Sequence, residues 1–447
     1  MIIDFSVCNY GSFAQWADLE MHPKKLSSLK ARSAEEWRSA LNTVSVVFGG
    51  NASGKSTLLR ALSGLCGFSE LNDMAHVPLY YPFGSFGSPA TSDVEFAITF
   101  TNDRVAYEYR VSAASWGVRE EGLISYESGR ARQIFLRSQA ERTAPIEFKR
   151  GSALTGRTSA LVDVLRPRES FLHLAMERDH EVLAPIGRAL SNGVSSLDRE
   201  TERRPLHSVT NRLLIDLIGD PDSEKVLEVL LSSADVGIKG MTVHRELIPD
   251  HVLEEIRRIR EALMRQEDDG ATQSDAQDLL SLPSVQKSVW FEHVGPNGTS
   301  FELPLVAQSS GTLTWLEIAW PAVQALRHGG VVVVDEIDSS LHPLLVRSLV
   351  KLFNSEDTNP VGAQLICSSH DVTLLDNQPQ PVLQPHQVWF CEKNDCGESE
   401  LYSASEFGPK AHNNMARQYV AGNYGAIPDL HTEEMIAYID GVESEAR

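Results

Sequence analysis

The sequence predicts an α/β fold: a parallel sheet built from both ends of the chain, with an inserted lobe of strands and helices and a short helical arm. Three observations lead there. Near the start, "VSVVFGGNASGKSTLLRAL" (residues 44–62) runs an apolar, β-branched strand into a glycine-rich turn and then a leucine-rich helix. From residue 312 onward, "TLTWLEIAW", "VVVVDE", "LLVRSLVKLF" and "AQLICSS" alternate amphipathic helix with unbroken apolar strand. Such strands, separated by helices, belong to parallel sheets covered on both faces. The middle of the chain changes periodicity repeatedly and shows no internal repeat. The expected division is 1–111 and 301–447 as the two parts of one sheet domain, and 112–300 as the inserted lobe.

Taken in order, "MIIDFSVCNY" and "TVSVVF" read as short strands. Residues 75–111 begin rich in Pro, Gly and Tyr, then alternate in "DVEFAITF" and "VAYEYRV", the pattern of antiparallel strands. From 169 to 232 the apolar spacing is helical, and "VGIKGMTVHRE" returns to strand. Residues 250–266 place Val252, Ile256, Ile259 and Leu263 on a narrow helical stripe able to pair with another helix. The polar "QEDDGATQSDAQD" that follows reads as a loop.

With 447 residues the chain is long enough for one large domain with insertions, or for two. No apolar run reaches the length of a membrane span. The N-terminus has no signal-peptide pattern, and five irregularly spaced cysteines do not suggest a disulfide framework. The expectation is a cytoplasmic protein. Sixty-one acidic against 40 basic side chains give a formal net charge of −21, which repels nucleic acid from the chain as a whole. One stretch runs against that balance. Arg130, Arg132, Arg137, Arg142, Lys149, Arg150, Arg157, Arg166 and Arg168 face only Glu141, Glu147 and Asp163. That stretch is either a contact surface for nucleic acid or a set of solvated strands, and no interleaved aromatics favour base stacking.

The chemistry begins at Gly49-Gly50-Asn51-Ala52-Ser53-Gly54-Lys55-Ser56-Thr57, which fits G-x-x-x-x-G-K-[ST] throughout. Its glycines let backbone N–H groups turn onto phosphate oxygens, Lys55 reaches the β/γ-phosphates, and the Ser56 hydroxyl suits Mg²⁺. Whether phosphate is also cleaved depends on the other end of the chain. "VVVVDEIDSSLHP" delivers Asp335 to a strand's carboxyl end, where it can hold the Mg²⁺ shell, and then Glu336, able to orient or deprotonate water. "QLICSSHD" delivers His370 at the end of a further strand. One helix and one strand separate the two, the spacing of neighbouring parallel strands whose ends meet one γ-phosphate. Ser309-Ser310-Gly311 opens a helix between these motifs. Alone it would be an ordinary N-cap; in this order it offers a helix N-terminus to an anion. "CEKNDC" (Cys391, Cys396) has loose spacing and no second pair, so a hairpin with two incidental thiols is preferred to a metal half-site.

The order of these motifs resembles ABC-type ATPases. More narrowly, "IIDFSVCNYGSF", "GGNASGKSTLLRAL", "SSGT", "VVVVDEIDSSLHPLL", "GAQLICSSHDVTLLD", "QVWFCEKNDCGESELYSASEF" and "RQYVAGNYGAIPDL" are similar to the RloA-type abortive-infection AAA/ABC-like ATPases, relatives of the OLD-family and RecF/SMC-like ATPases. The likeness covers both ends, about half the chain. It implies an ABC-type P-loop NTPase sheet, ATP and Mg²⁺ as ligands, and a homodimer or higher homo-oligomer in anti-phage defence. It also implies a separate operon-encoded effector of nuclease-like type. By the same likeness Glu336 is the hydrolytic carboxylate and His370 the γ-phosphate sensor. Ser310 and Gly311 reach the partner protomer's nucleotide, while Ser339 and Leu341 lie in the inter-protomer loop. A glutamine lid has no secure place, although "VPLYYPFGSF" stands where one is expected. The helical arm is far shorter than a chromosome-structuring coiled coil, and no nuclease-type acidic cluster follows the last strand. The alternatives are a RecF-like DNA-binding repair ATPase, a transporter ATPase subunit, and a scaffold that binds ATP without hydrolysing it.

Overall fold

The computed structural model describes residues 1–23, 26–67, 93–191, 193–197, 220–234, 237–247, 285–412 and 414–427, together with residues 210, 214, 215, 217, 258 and 436. Two compact units emerge: residues 1–201 with 321–447, and residues 202–320.

The first unit holds two sheets. One contains, with strands numbered along the chain, β1 (Ile2–Cys8), β2 (Ala17–Glu20), β4 (Val94–Asn102), β5 (Val105–Ala114), β6 (Gly117–Ser125), β7 (Arg132–Ser138) and β8 (Glu147–Arg150). Its order is β2-β1-β4-β5-β6-β7-β8, and every pairing is antiparallel. The other has the order β16-β15-β3-β14-β13-β9, from β3 (Val44–Phe48), β9 (Val194–Leu197), β13 (Val331–Val334), β14 (Gln364–Ser368), β15 (Val388–Lys393) and β16 (Ser399–Ser403). Here β9, β13, β14, β3 and β15 run parallel, and β16 returns antiparallel beside β15. Both ends of the chain do share one sheet. Buried at every position, β3, β13 and β14 need apolar side chains on both faces.

The helix Lys55–Cys66 packs between the sheets. Its Leu58, Leu62 and Leu65 join one buried cluster with Phe5, Phe96, Tyr109 and Phe135 from the antiparallel sheet and Val47, Val333 and Ile366 from the parallel one. Each such side chain contributes about 1.5–3 kcal/mol by leaving water. A buried glutamine ties the two sheets together. Gln364 accepts from the Ile2 N–H at 2.6 Å and donates to the Ile2 and Asn42 carbonyls at 2.9 and 3.0 Å.

Two sequence expectations need correction here. The helical run from 169 is real as Phe171–Glu177, Leu183–Ser191 and Pro221–Ala234, but it is interrupted by β9, which pairs with β13. "VSSL" is too short and polar to display a strand period. Arg137, counted with the basic face, has an exposure of 0%. It shares the inward face of β7 with Phe135, pairs with the equally buried Glu121 at 3.5 Å, and donates to the carbonyls of Arg166, Pro167 and Glu169. The other eight basic residues of the stretch are exposed.

The second unit contains an antiparallel sheet of order β10-β11-β12, from β10 (Ile238–Leu247), β11 (Val285–Val294) and β12 (Ser300–Pro304). The helix Ser310–His328 opens in this unit, and the Trp315 indole N–H donates to the Leu230 carbonyl at 2.9 Å. The expected helical arm at 250–266, Arg258 apart, its acidic loop, and the "VPLYYPFGSF" stretch lie outside the described residues.

Candidate functional site

The glycine-rich turn leaves β3 at Phe48 and enters the helix at Lys55. Asn51 and Ala52 stand exposed at its tip, Gly49, Ser53 and Gly54 are buried, and Ser56 and Thr57 are half-buried. Gly54 has φ +116°, a conformation open to glycine and strained for other residues, and it starts the helix without a side-chain cap. The first intrahelical bond runs from the Leu58 N–H to the Gly54 carbonyl at 3.0 Å. The N–H groups of the preceding turn therefore have no intrahelical acceptor, and with the helix dipole they make an anion site.

Lys55 lies over the turn, its Nζ donating to the Gly49 and Gly50 carbonyls at 3.1 and 2.8 Å. Burial pushes its pKa down, and the carboxylates of Asp335, Glu336 and Asp338 pull it part of the way back. Those carboxylates come from the end of β13. The charge pattern thus brings the two motifs, separated by 280 residues, to one place.

Strand order explains the meeting. β14 lies between β3 and β13, all three parallel, so their carboxyl ends open on the same edge. Asp335 is buried at 8% exposure, and its Oδ1 accepts from Ser368 Oγ, on β14, at 2.5 Å. The same hydroxyl accepts the Glu336 N–H at 2.7 Å. Glu336 is exposed and has φ +51°, a conformation that costs a non-glycine residue about 1–3 kcal/mol. It is fixed by that bond and by the Ile337 N–H on the Ser368 carbonyl at 3.0 Å. His370 follows β14 and is exposed; its backbone N–H donates to both Asp338 oxygens at 3.1 and 3.3 Å. Ser369 in turn donates its N–H to the Val47 carbonyl of β3 at 3.1 Å.

The donor set suits a magnesium nucleotide. Ser56 supplies a hydroxyl at the helix start, and Asp335 keeps a second carboxylate oxygen with no hydrogen bond among the described residues. Both are hard oxygen ligands. The Ser53 hydroxyl is buried without a partner, as a group waiting for a polar ligand would be.

Ser309, Ser310 and Gly311 belong to the second unit. Ser309 and Ser310 are exposed, and the Ser309 hydroxyl accepts the Thr312 N–H at 3.1 Å, the ordinary cap of the helix it precedes. Cys391 lies on β15 and Cys396 in the turn of the β15–β16 hairpin. Yet Cys391 is not incidental. It is buried, and its Sγ donates to the Ser53 carbonyl of the turn at 3.2 Å. Sequence reasoning also missed Ser368 and Asp338, whose partners lie more than thirty residues away and leave no spacing signal.

This sheet and this site define a P-loop ATPase domain of the AAA/ABC-like kind. The chain belongs to the family described as "AAA domain, putative AbiEii toxin, Type IV TA system", which matches residues 44–376, about three quarters of its length. It is also similar to an SMC head bound to the C-winged helix domain of ScpA, at 14% identity and TM-score 0.37 over 90% of this chain and 97% of that one. The SMC head domain from Thermotoga maritima shares 11% identity at TM-score 0.38, over 90% and 98%. A Smc head domain with an extended coiled coil, bound to the C-terminal domain of ScpA derived from Pyrococcus furiosus, shares 14% at 0.37, over 99% of each chain. No curated protein matches the chain. No helix among the described residues is long and apolar enough to cross a membrane.

Proposed function

We propose that this protein is a Mg²⁺-dependent ATPase that works as a switch, closing homo-oligomer contacts when ATP is bound and releasing them on hydrolysis. The observation that carries this reading is the meeting of Lys55, Asp335 and Glu336 at the shared edge of β3, β14 and β13. The N–H groups of Lys55, Ser56 and Thr57 would bind phosphate oxygens, and the Lys55 ammonium would exchange the Gly49 and Gly50 carbonyls for the β/γ-phosphates. Ser56 and Asp335 would hold Mg²⁺, which when bound neutralises phosphate charge. Glu336 would orient water and accept its proton, and His370 would register the γ-phosphate. Ser310 and Gly311 are assigned to the partner protomer's nucleotide, and Ser339 and Leu341 to the loop between protomers.

The biological setting proposed is anti-phage abortive infection of the RloA/OLD kind, in the cytoplasm, with a separate nuclease-like effector under control. The family's toxin description and the N- and C-terminal motifs support it. ATP hydrolysis by the purified chain, with and without Mg²⁺, tests the enzyme. Native mass spectrometry of the tagged chain from its host, with Mg-ATP, tests the assembly: a homo-oligomer carrying a second protein supports the switch, and a nucleotide-free monomer sinks it. A RecF-like reading is favoured by the eight exposed basic residues between Arg130 and Arg168. It requires DNA binding that weakens steeply with salt and is lost on charge reversal of Arg150 and Arg157.

A further inference from the structure

We infer that Ser399 is a positioning residue for the phosphate-binding turn, holding the peptide between Ser53 and Gly54 so that the Gly54 N–H faces the phosphate side. The inference rests on the nucleotide-binding reading above. Two donors from the β15–β16 hairpin converge on the Ser53 carbonyl: Ser399 Oγ at 2.6 Å and Cys391 Sγ at 3.2 Å. A hydroxyl has one proton, and that of Ser399 is given to Ser53. Ser12 Oγ, 2.7 Å from Ser399 Oγ, stands as a second acceptor within reach of that hydroxyl. The Ser399 N–H donates to the Ser12 carbonyl at 2.7 Å, so backbone as well as side chain is fixed. At 6% exposure, Ser399 faces little competition from water.

The geometry of the peptide group does the rest. In a trans peptide the C=O and N–H point in opposite directions. With the Ser53 carbonyl held to the hairpin, the Gly54 N–H is turned away from it, toward the inner side of the turn. The hairpin also stands hard against this peptide. A Cβ on Gly54 would lie 2.5 Å from Ser399 Oγ and 2.9 Å from Ser12 Oγ, and a Cβ on Gly49 would lie 2.2 Å from the Cys391 carbonyl oxygen. Since β15 pairs with β3 itself, the brace is carried by the strand that feeds the turn.

The test is equilibrium binding of inorganic pyrophosphate and of ATP to the full chain, measured alongside the melting temperature without ligand. Ser399→Ala should weaken both ligands about ten-fold, the effect of one displaced hydrogen bond to a charged group. Its ligand-free melting temperature should stay close to the parent's, and Ser399→Cys, which keeps a donor, should regain most of the affinity. Should Ser399→Ala fail to fold, Ser12→Ala leaves Ser399 in place and removes its second acceptor, so it should keep or tighten pyrophosphate binding, and a weakening there overturns the positioning role. Parental affinity in Ser399→Ala, with Lys55→Ala strongly weakened, overturns the positioning role and leaves the nucleotide site standing. Parental affinity in Lys55→Ala as well overturns the nucleotide reading beneath it. A loss in Ser399→Ala that tracks a fall in melting temperature and is not regained by cysteine also overturns the role.

Discussion

The hydroxyl of Ser368 donates to Asp335 Oδ1 at 2.5 Å and accepts the Glu336 N–H at 2.7 Å, so one side chain on β14 holds the Asp335 carboxylate and the backbone that carries Glu336. Ser368 is fully buried, and its replacement leaves a buried carboxylate oxygen and an N–H without their partner. We expect Ser368→Ala to lose about 1–3 kcal/mol of stability in urea unfolding. If Asp335 holds Mg²⁺ as proposed, turnover should fall about 10–100-fold, the usual cost of losing a group that orients a metal ligand. Full ATPase activity in a folded Ser368→Ala protein would contradict the orienting role.

Arg137 and Glu121 form a fully buried pair within the antiparallel sheet. Glu121 also accepts from Tyr109 Oη, Ser170 Oγ and the N–H groups of Phe171 and Leu172, at 2.7–2.9 Å. Removing only the arginine leaves a charge in a dry interior. Arg137→Met should therefore cost about 3–5 kcal/mol, and the added change Glu121→Gln should restore part of it. Denaturant midpoints check this. A single variant within 1 kcal/mol or so of the parent, the scale of an exposed ion pair, would show that the site is wet.

Lys55 gives a pH prediction with a definite sign. Burial holds its pKa below the ordinary lysine value of 10.5. The charge that attracts phosphate is present below the folded pKa and is lost as pH rises through it. ATP affinity should thus begin to fall before pH 10.5, and Lys55→Arg, charged throughout, should flatten the alkaline limb. Stability has the opposite sign. A lysine with a depressed folded pKa costs stability while charged, and that cost disappears as pH climbs through the unfolded value. A binding curve flat up to pH 10.5 would contradict the burial argument.

These residues differ in how far the sequence announces them. β3, β13 and β14 are legible because strands buried on both faces leave nearly continuous apolar runs. Lys55, Asp335 and His370 are legible because parallel strands end on a common edge, so strand order translates into proximity. Ser12, Ser368 and Ser399 are not legible. Each acts through a hydrogen bond to a residue distant in the chain, or to one small polar group, and no periodicity records such a contact. Arg137 was hidden differently: a run of charges suggests solvent, while its two-residue offset from Phe135 on β7 is the signal of an inward face. Ser309 reads alike as a cap and as part of a phosphate motif, since both uses rest on the same free N–H groups.

Glu336 carries the last prediction, because it separates binding from cleavage. Its backbone is held with φ +51° by Ser368, and the Ser339 N–H donates to its carbonyl at 2.8 Å. Its side chain is exposed at the edge where Lys55 feels its charge. Glu336→Gln keeps the size and the backbone bonds and removes the proton acceptor. ATP affinity should stay within about two-fold, while single-turnover phosphate release should slow about 10²–10⁴-fold, the range for a general base. With Mg-ATP the variant should also accumulate as an oligomer in light scattering, as the proposed switch, in which cleavage reopens the contacts, requires. Equal release rates in variant and parent would remove Glu336 from hydrolysis. A loss of affinity matching the loss of rate would make it a binding residue, and the proton acceptor would then have to be sought elsewhere along the same strand edge.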